Sequence, residues 1–263
     1  MPERLPAIFF GHGSPIIAMK QNATTEAWRA LMDAMPRPRA VLCISAHWMS
    51  RGIAVTGQVA PPTIHDFGGF PRAMHEFQYP APGNVTLVRR VAELLAPDPV
   101  AATTQWGFDH GSWTVLMKAL PDADVPLVQL SLDVSRRPAQ HFEIGRRLRP
   151  LRDEGVLIMG SGNIVHNLGD VIRQDGVPPH DYAVAFSRAI KRAILADDHQ
   201  TVIDFEKLGL AASRSVPTPD HFWPLLYVLG ARHPDDEVSF APDFIEYGSI
   251  DMTTVTLRPP HAA

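Results

Sequence analysis

Ala7-Ile-Phe-Phe-Gly-His-Gly-Ser-Pro15 decides how the chain reads. Residues 7–10 are apolar throughout and read as a short buried strand. The run then stops in Gly11-His-Gly-Ser-Pro15, which sets an imidazole between two glycines directly after the strand. Glycine lets a backbone bend sharply and approach a ligand closely. The expectation is a tight turn that aims His12 back over the strand end.

The same arrangement recurs further along. Residues 40–45 form a second apolar run, and His47 follows in Ser45-Ala-His-Trp48. Residues 156–160 form another, followed by Ser161-Gly-Asn163 and then His166. If these strands are parallel, their carboxyl ends share one edge of a sheet, and ligands bind at that edge in open α/β sheets. Two more histidines stand near helix starts: His110 in Asp109-His-Gly-Ser112, and His221 in the first turn of a helix opened by Pro217-Thr-Pro-Asp220. Converging neutral imidazoles suit zinc, iron or copper. A single histidine at a strand end is more often a hydrogen-bonding loop residue. It is the joint pattern that points to a metal, since the chain has no CxxC pair and no HExxH helix.

Around these runs, strands are also expected at residues 52–58, 100–104, 125–131, 237–240 and 253–257. Helices are expected at 25–35 (capped by Thr24 or Thr25), 84–95, 114–120, 138–151, 181–195, 201–208 and from His221 to near Gly230. Strands alternating with helices argue for an α/β sandwich with a central mixed, mainly parallel sheet flanked by helices. The sheet should be mixed because residues 45–57 hold two strands too close for a helical crossover. The length of 263 residues fits a single catalytic domain, 1–263, with a core at about 7–257. Residues 61–83 form a loop long enough to suggest a function; His65, Phe67 and Phe70 could cover a pocket. His141, His180, His199, His233 and His261 read as surface residues.

Composition excludes several classes. A net charge of −4 without a basic run gives no footprint for nucleic acid or an anionic membrane. Cys43 is the one cysteine, so no internal disulfide forms, and its apolar surroundings suggest a buried thiol in a reducing compartment. No stretch approaches 18 apolar residues and no signal peptide is evident, so a cytoplasmic address is expected. There is no G-x-S-x-G, G-x-G-x-x-G or P-loop pattern.

Read together, Gly11-His-Gly-Ser-Pro15, Ser45-Ala-His-Trp48, His65-Asp-Phe-Gly-Gly-Phe-Pro71, Tyr79-Pro-Ala-Pro-Gly83, Asp109-His-Gly-Ser-Trp113, Gly160-Ser-Gly-Asn163 with His166-Asn-Leu168, and Asp220-His-Phe222 occur in order. The set resembles the class III extradiol ring-cleavage dioxygenases, in the DOPA-dioxygenase branch. The resemblance implies a non-haem metal in an α/β fold and insertion of O2 beside the two hydroxyls of a catechol, so the partners expected are a small-molecule catechol and O2, with the oligomeric state left open. It implies His12, His47 and His221 as metal ligands. His166 would be a fourth ligand or an acid–base residue, His110 a further catalytic acid–base group, and His65 a substrate-binding residue. The wider class usually holds Fe(II) through two histidines and a carboxylate. Here His221 matches the carboxylate position, and Asp220, if helical, would point elsewhere. Fe(II) is the metal implied for activity, and Zn(II) would also suit an all-imidazole set.

Three other readings use the same residues. A zinc-dependent hydrolase would activate water with this histidine cluster. A tetrapyrrole metal chelatase can also begin strand-Gly-His-Gly-Ser, but the later motifs argue against it. A non-catalytic module would bind metal and turn over no catechol.

Overall fold

Side chains alternate along the first strand and divide the core in two. Ala7 and Phe9 pack into one apolar cluster, while Ile8 and Phe10 pack into another on the opposite face. The computed structural model, which describes residues 3–260, shows how the rest of the chain follows. In chain order the elements are β1 (Ala7–Gly11), α1 (Ala23–Asp33), β2 (Ala40–Ser50), β3 (Ile53–Thr56), α2 (Val85–Leu94), β4 (Val100–Thr103), α3 (His110–Ala119), β5 (Leu127–Asp133), α4 (Pro138–Leu148), α5 (Pro150–Asp153), β6 (Val156–Gly162), α6 (Asp181–Leu195), α7 (His199–Ile203), α8 (Leu210–Ser215), α9 (Trp223–Gly230), β7 (Glu237–Phe240), β8 (Ile245–Glu246), β9 (Ile250–Asp251) and β10 (Val255–Arg258).

Eight strands form one sheet in the order β4-β3-β5-β2-β6-β1-β10-β7. Its centre, β5-β2-β6-β1, is parallel throughout. The flanks bring in antiparallel pairs, β1 with β10, β10 with β7, and β3 with β5. Trp28 and Met32 of α1 and Trp113 and Leu116 of α3 cover one face. Ile144 of α4, Phe186 of α6 and Leu225 of α9 cover the other. This is the expected mixed α/β sandwich. No described helix is long and apolar enough to cross a membrane.

Several local expectations need correction. The two close strands do make the sheet mixed, but not as neighbours: β3 pairs antiparallel with β5, through Val55 and Leu130. The chain leaves β2, crosses the end of β5 and returns on its far side. Two β5 side chains hold this crossing: Ser131 Oγ accepts from Ala54 N, and Asp133 Oδ1 accepts from Gly52 N at 2.9 Å. Asn22, not Thr24 or Thr25, caps α1; Thr25 returns a bond to the Asn22 amide. The helix expected at 138–151 is interrupted at Pro150, which cannot continue the hydrogen-bond ladder and starts α5 instead. α3 starts at His110 rather than Thr114, because Asp109 caps it.

His141 is fully buried, not on the surface. Its ring stacks on Trp223, and its Nδ1 lies 2.9 Å from the Tyr227 hydroxyl, both on α9. His261 lies outside the described residues. Buried Arg152 ties four segments together. It donates to the carbonyls of Leu5, Ala231 and Leu257 and pairs with the carboxylate of Asp236, likewise buried.

Candidate metal centre

The parallel centre of the sheet places the ends of β1, β2 and β6 on one edge, and that edge carries the histidines. The His12 amide extends the β1–β6 ladder by one bond, to Gly162 O at 3.1 Å. Neither Gly11 nor Gly13 has a left-handed φ, so the turn there does not draw on the backbone freedom of glycine that was expected to aim His12. What Gly11 supplies is room, since a Cβ there would lie 2.5 Å from the Met252 carbonyl carbon.

His47 does not follow its strand but lies within it. β2 runs on to Ser50, and its register with β5 shifts between Ile44 and Met49. Six β2 residues in this stretch face three of β5, from Ile44↔Leu130 to Met49↔Leu132. A bulge of this kind re-aims a side chain, and here the re-aimed side chain is His47. Ser45 Oγ accepts from the His47 amide and donates to Asp109 Oδ1 at 2.7 Å.

His221 sits in the turn before α9, which starts at Trp223, and not within the helix. Its carbonyl accepts from Asn163 N at 2.9 Å, so it hangs directly on the end of β6. Gly162 makes that approach feasible: a Cβ there would lie 2.1 Å from His221 O. Asp220 does not point elsewhere, because outside a helix it folds onto its neighbour. Its Oδ2 lies 2.5 Å from His221 Nδ1.

The ring nitrogens of His12, His47 and His221 lie within 4.8 Å of one another. His12 Nε2 and His47 Nε2 are 3.1 Å apart. Two nitrogens each ~2.1 Å from one ion stand about 3 Å apart when the angle at the ion is roughly 90–100°. The hydrogen bonds fix which nitrogen carries the proton. Ser161 Oγ donates to Gly111 O at 2.5 Å, so toward His12 Nδ1, 2.9 Å away, it accepts. His12 is therefore protonated on Nδ1, with a lone pair on Nε2. The Asp220 carboxylate likewise fixes the proton of His221 on Nδ1. Burial, and then the charges of nearby imidazoles, hold His12 and His47 well below the ordinary histidine pKa. Neutral rings with inward lone pairs are the form that binds a transition metal, so these residues fit a metal ion.

His110 stands beside this triad, its ring centroid 3.8 Å from that of His47. Asp66 holds it twice, accepting from its amide at 2.9 Å and facing its Nδ1 at 3.0 Å. Burial pushes the Asp66 carboxyl up, but the hydrogen bond and charge of His110 win, and its pKa is lowered. His166 stacks face to face on His221 at 3.5 Å and lies outside the close set of ring nitrogens. Its pKa falls to about 3, through burial and then the His221 charge. Below the site, Asp109 is fully buried and raised to about 6 by burial and then by Asp66.

A cavity of about 850 Å³ opens over the cluster, and His12, His47, His110, His166 and His221 all line it. Phe67 and Phe70 from the long loop form part of its wall, as expected. His65 does not line it. Its Nε2 is 3.0 Å from Phe77 O, and its ring packs edge-on against Phe67 and Trp113, behind the wall. Asp66, Ser161 and Asp220 were not singled out in the sequence as site residues. A shared signal was present for the two carboxylates: Asp adjoins His in His65-Asp66, Asp109-His110 and Asp220-His221.

Known proteins are similar to this chain over nearly its whole length. The chain is 46% identical over 259 residues to the 4,5-DOPA dioxygenase extradiol of Escherichia coli K12, covering 97% of this chain and 95% of that one. It is 34% identical to the 4,5-DOPA dioxygenase extradiol of Beta vulgaris, covering 94% and 96%. A crystal structure of an uncharacterized protein from Escherichia coli K12 superposes with a TM-score of 0.85 at 41% identity, covering 97% of this chain and all of that one. Residues 6–252 match the family described as the catalytic LigB subunit of aromatic ring-opening dioxygenase, and the chain belongs to that family.

Proposed function

We propose that this chain, acting as one catalytic domain in the cytoplasm, opens the ring of a DOPA-like catechol beside its diol, with Fe(II) held by His12, His47 and His221. The observation that carries the reading is the 3.1 Å approach of His12 Nε2 to His47 Nε2 beneath an 850 Å³ cavity. Bound Fe(II) would hold diol and dioxygen on one centre and pass electrons between them. Imidazole donors also suit Zn(II), which has no redox chemistry and would compete for the site.

The protein's own groups do the rest. His110, its Nδ1 proton held by Asp66, presents Nε2 to the cavity, where it takes a proton from a catechol hydroxyl. His166, neutral and stacked on His221, is a second proton acceptor at the diol and not a ligand. Phe67 and Phe70 flank the aromatic ring and exclude water, and His65 positions Phe67 from behind. Relatives named as dioxygenases do not favour a hydrolase.

The test is anaerobic reconstitution with Fe(II), mixing with L-DOPA, and admission of air. Oxygen uptake with a yellow ring-opened product is expected. Absence of uptake with bound iron and bound catechol, or turnover of an ester without oxygen, overturns the reading.

A further inference from the structure

The cavity carries three charged side chains besides its imidazoles: Arg173, Asp175 and Glu246. Among the described residues, neither Arg173 nor Glu246 has an oppositely charged partner within 4.0 Å. Arg173 and Asp175 are exposed to solvent, so they keep their charges without a burial cost, and Arg173 is free to meet an anionic group entering the cavity. Glu246 is half-buried beside the metal triad: its Oε2 would lie 3.5 Å from a Cβ on Gly13, the neighbour of His12. Burial raises its pKa; the Lys20 charge offsets part of the rise, Asp175 adds to it, and a hydrogen bond with Tyr247 lowers it a little.

The backbone holds the two groups at a fixed offset. Glu246 ends β8, and the turn to β9 forces Tyr247 to φ +52°. A bulky residue at positive φ is an outlier that persists only where the surroundings enforce it. The Tyr247 carbonyl accepts from the Ile172 amide at 3.0 Å, which ties the Arg173 segment to the same turn.

Resting on the catechol reading above, we infer that Arg173 and Glu246 form a clamp for a zwitterionic side arm on the substrate ring, Arg173 taking its carboxylate and Glu246 its ammonium. The imidazole end of the cavity holds the diol, and the clamp selects which catechol enters. Arg173 and Glu246 are specificity residues for the arm and take no part in the proton transfers.

The test measures anaerobic dissociation constants of the iron-loaded protein for four catechols. L-DOPA carries both charges, 3,4-dihydroxyphenylpropionate only the carboxylate, dopamine only the ammonium, and 4-methylcatechol neither. R173Q is expected to weaken the two carboxylate-bearing ligands roughly tenfold more than the other two, and R173K to restore part of that difference. E246Q is expected to weaken L-DOPA and dopamine by a similar margin over the others. Equal effects on all four, or wild-type protein indifferent to the arm, overturn the clamp. Admission of air separates the two readings. Arm-dependent binding without oxygen uptake leaves the clamp standing and sinks the ring-opening reading; uptake without arm dependence does the reverse.

Discussion

The Ser161 hydroxyl lies 2.9 Å from His12 Nδ1 and gives its own proton to the Gly111 carbonyl. One hydroxyl therefore sets the tautomer of the His12 imidazole. Both residues are buried, so water cannot take over that role. The pairing also joins three segments: the end of β1, the end of β6 and the first turn of α3.

S161A is accordingly expected to weaken metal binding by roughly 10–100-fold, the usual cost of losing a hydrogen bond that orients a ligating histidine. The fold should survive, because the change removes one oxygen and leaves the β6 backbone pairing with β1 and β2 in place. Competition against a chelator of known affinity measures the effect. Unchanged affinity in a folded variant would remove Ser161 from the design of the site.

Asp66 and His110 make a second, separable prediction. H110N is expected to leave the metal content unchanged and lower kcat by about 10²-fold or more, as for loss of a general base. D66N should fall in the same direction but less far, because it keeps the ring and loses only the charge that orients it. Metal analysis beside steady-state kinetics decides the matter. If H110N loses its metal, His110 is a ligand and the assignment of roles is wrong.

How much of this was legible in the sequence depended on how local its cause is. The apolar run of β1 and the histidine after it were readable because strand, glycines and imidazole lie within a dozen residues. The bulge that aims His47 was not, because it exists only as a mismatch with β5, some eighty residues away. In the long loop the sequence drew attention to His65, while its neighbour Asp66 makes the contact with His110. Alternate residues of an irregular loop leave no periodicity to choose between them. The Asp220–His221 contact was missed for a related reason: extending the helix backward by two residues turns the carboxylate away. The β8–β9 hairpin, with strands of two residues each, is too short to leave a pattern. His141 looked exposed because its burial depends on Trp223 and Tyr227, far along the chain.

Arg152 offers a test of the fold apart from the site. Its guanidinium and the Asp236 carboxylate are both at 0% exposure, and three backbone carbonyls also depend on it. R152L leaves Asp236 buried without its partner. Removing one member of a buried pair typically costs about 3–5 kcal/mol. Urea denaturation of the two proteins at pH 7.5 measures the difference. A loss below about 1 kcal/mol would mean that water or a nearby cation reaches Asp236 in the variant.

His141 makes stability depend on pH in a direction that can be worked out. Its pKa is lowered to about 4, chiefly by burial, against an ordinary value of 6.5. Between these values the unfolded chain binds a proton at this position and the folded chain does not. Stability therefore falls as pH drops from about 6.5 toward 4, and this contribution levels off below 4. At pH 5 the loss from this one group is about 2 kcal/mol. H141Q has no titrating ring, so its stability should fall less between pH 7.5 and pH 5, by about that amount, with chelator present in both samples. His12, His47 and His166 titrate in the same sense but are common to both proteins, so they cancel in the comparison. Parallel pH profiles for the two proteins would show that His141 takes up its proton without unfolding, and that the contact with Tyr227 does not hold it neutral.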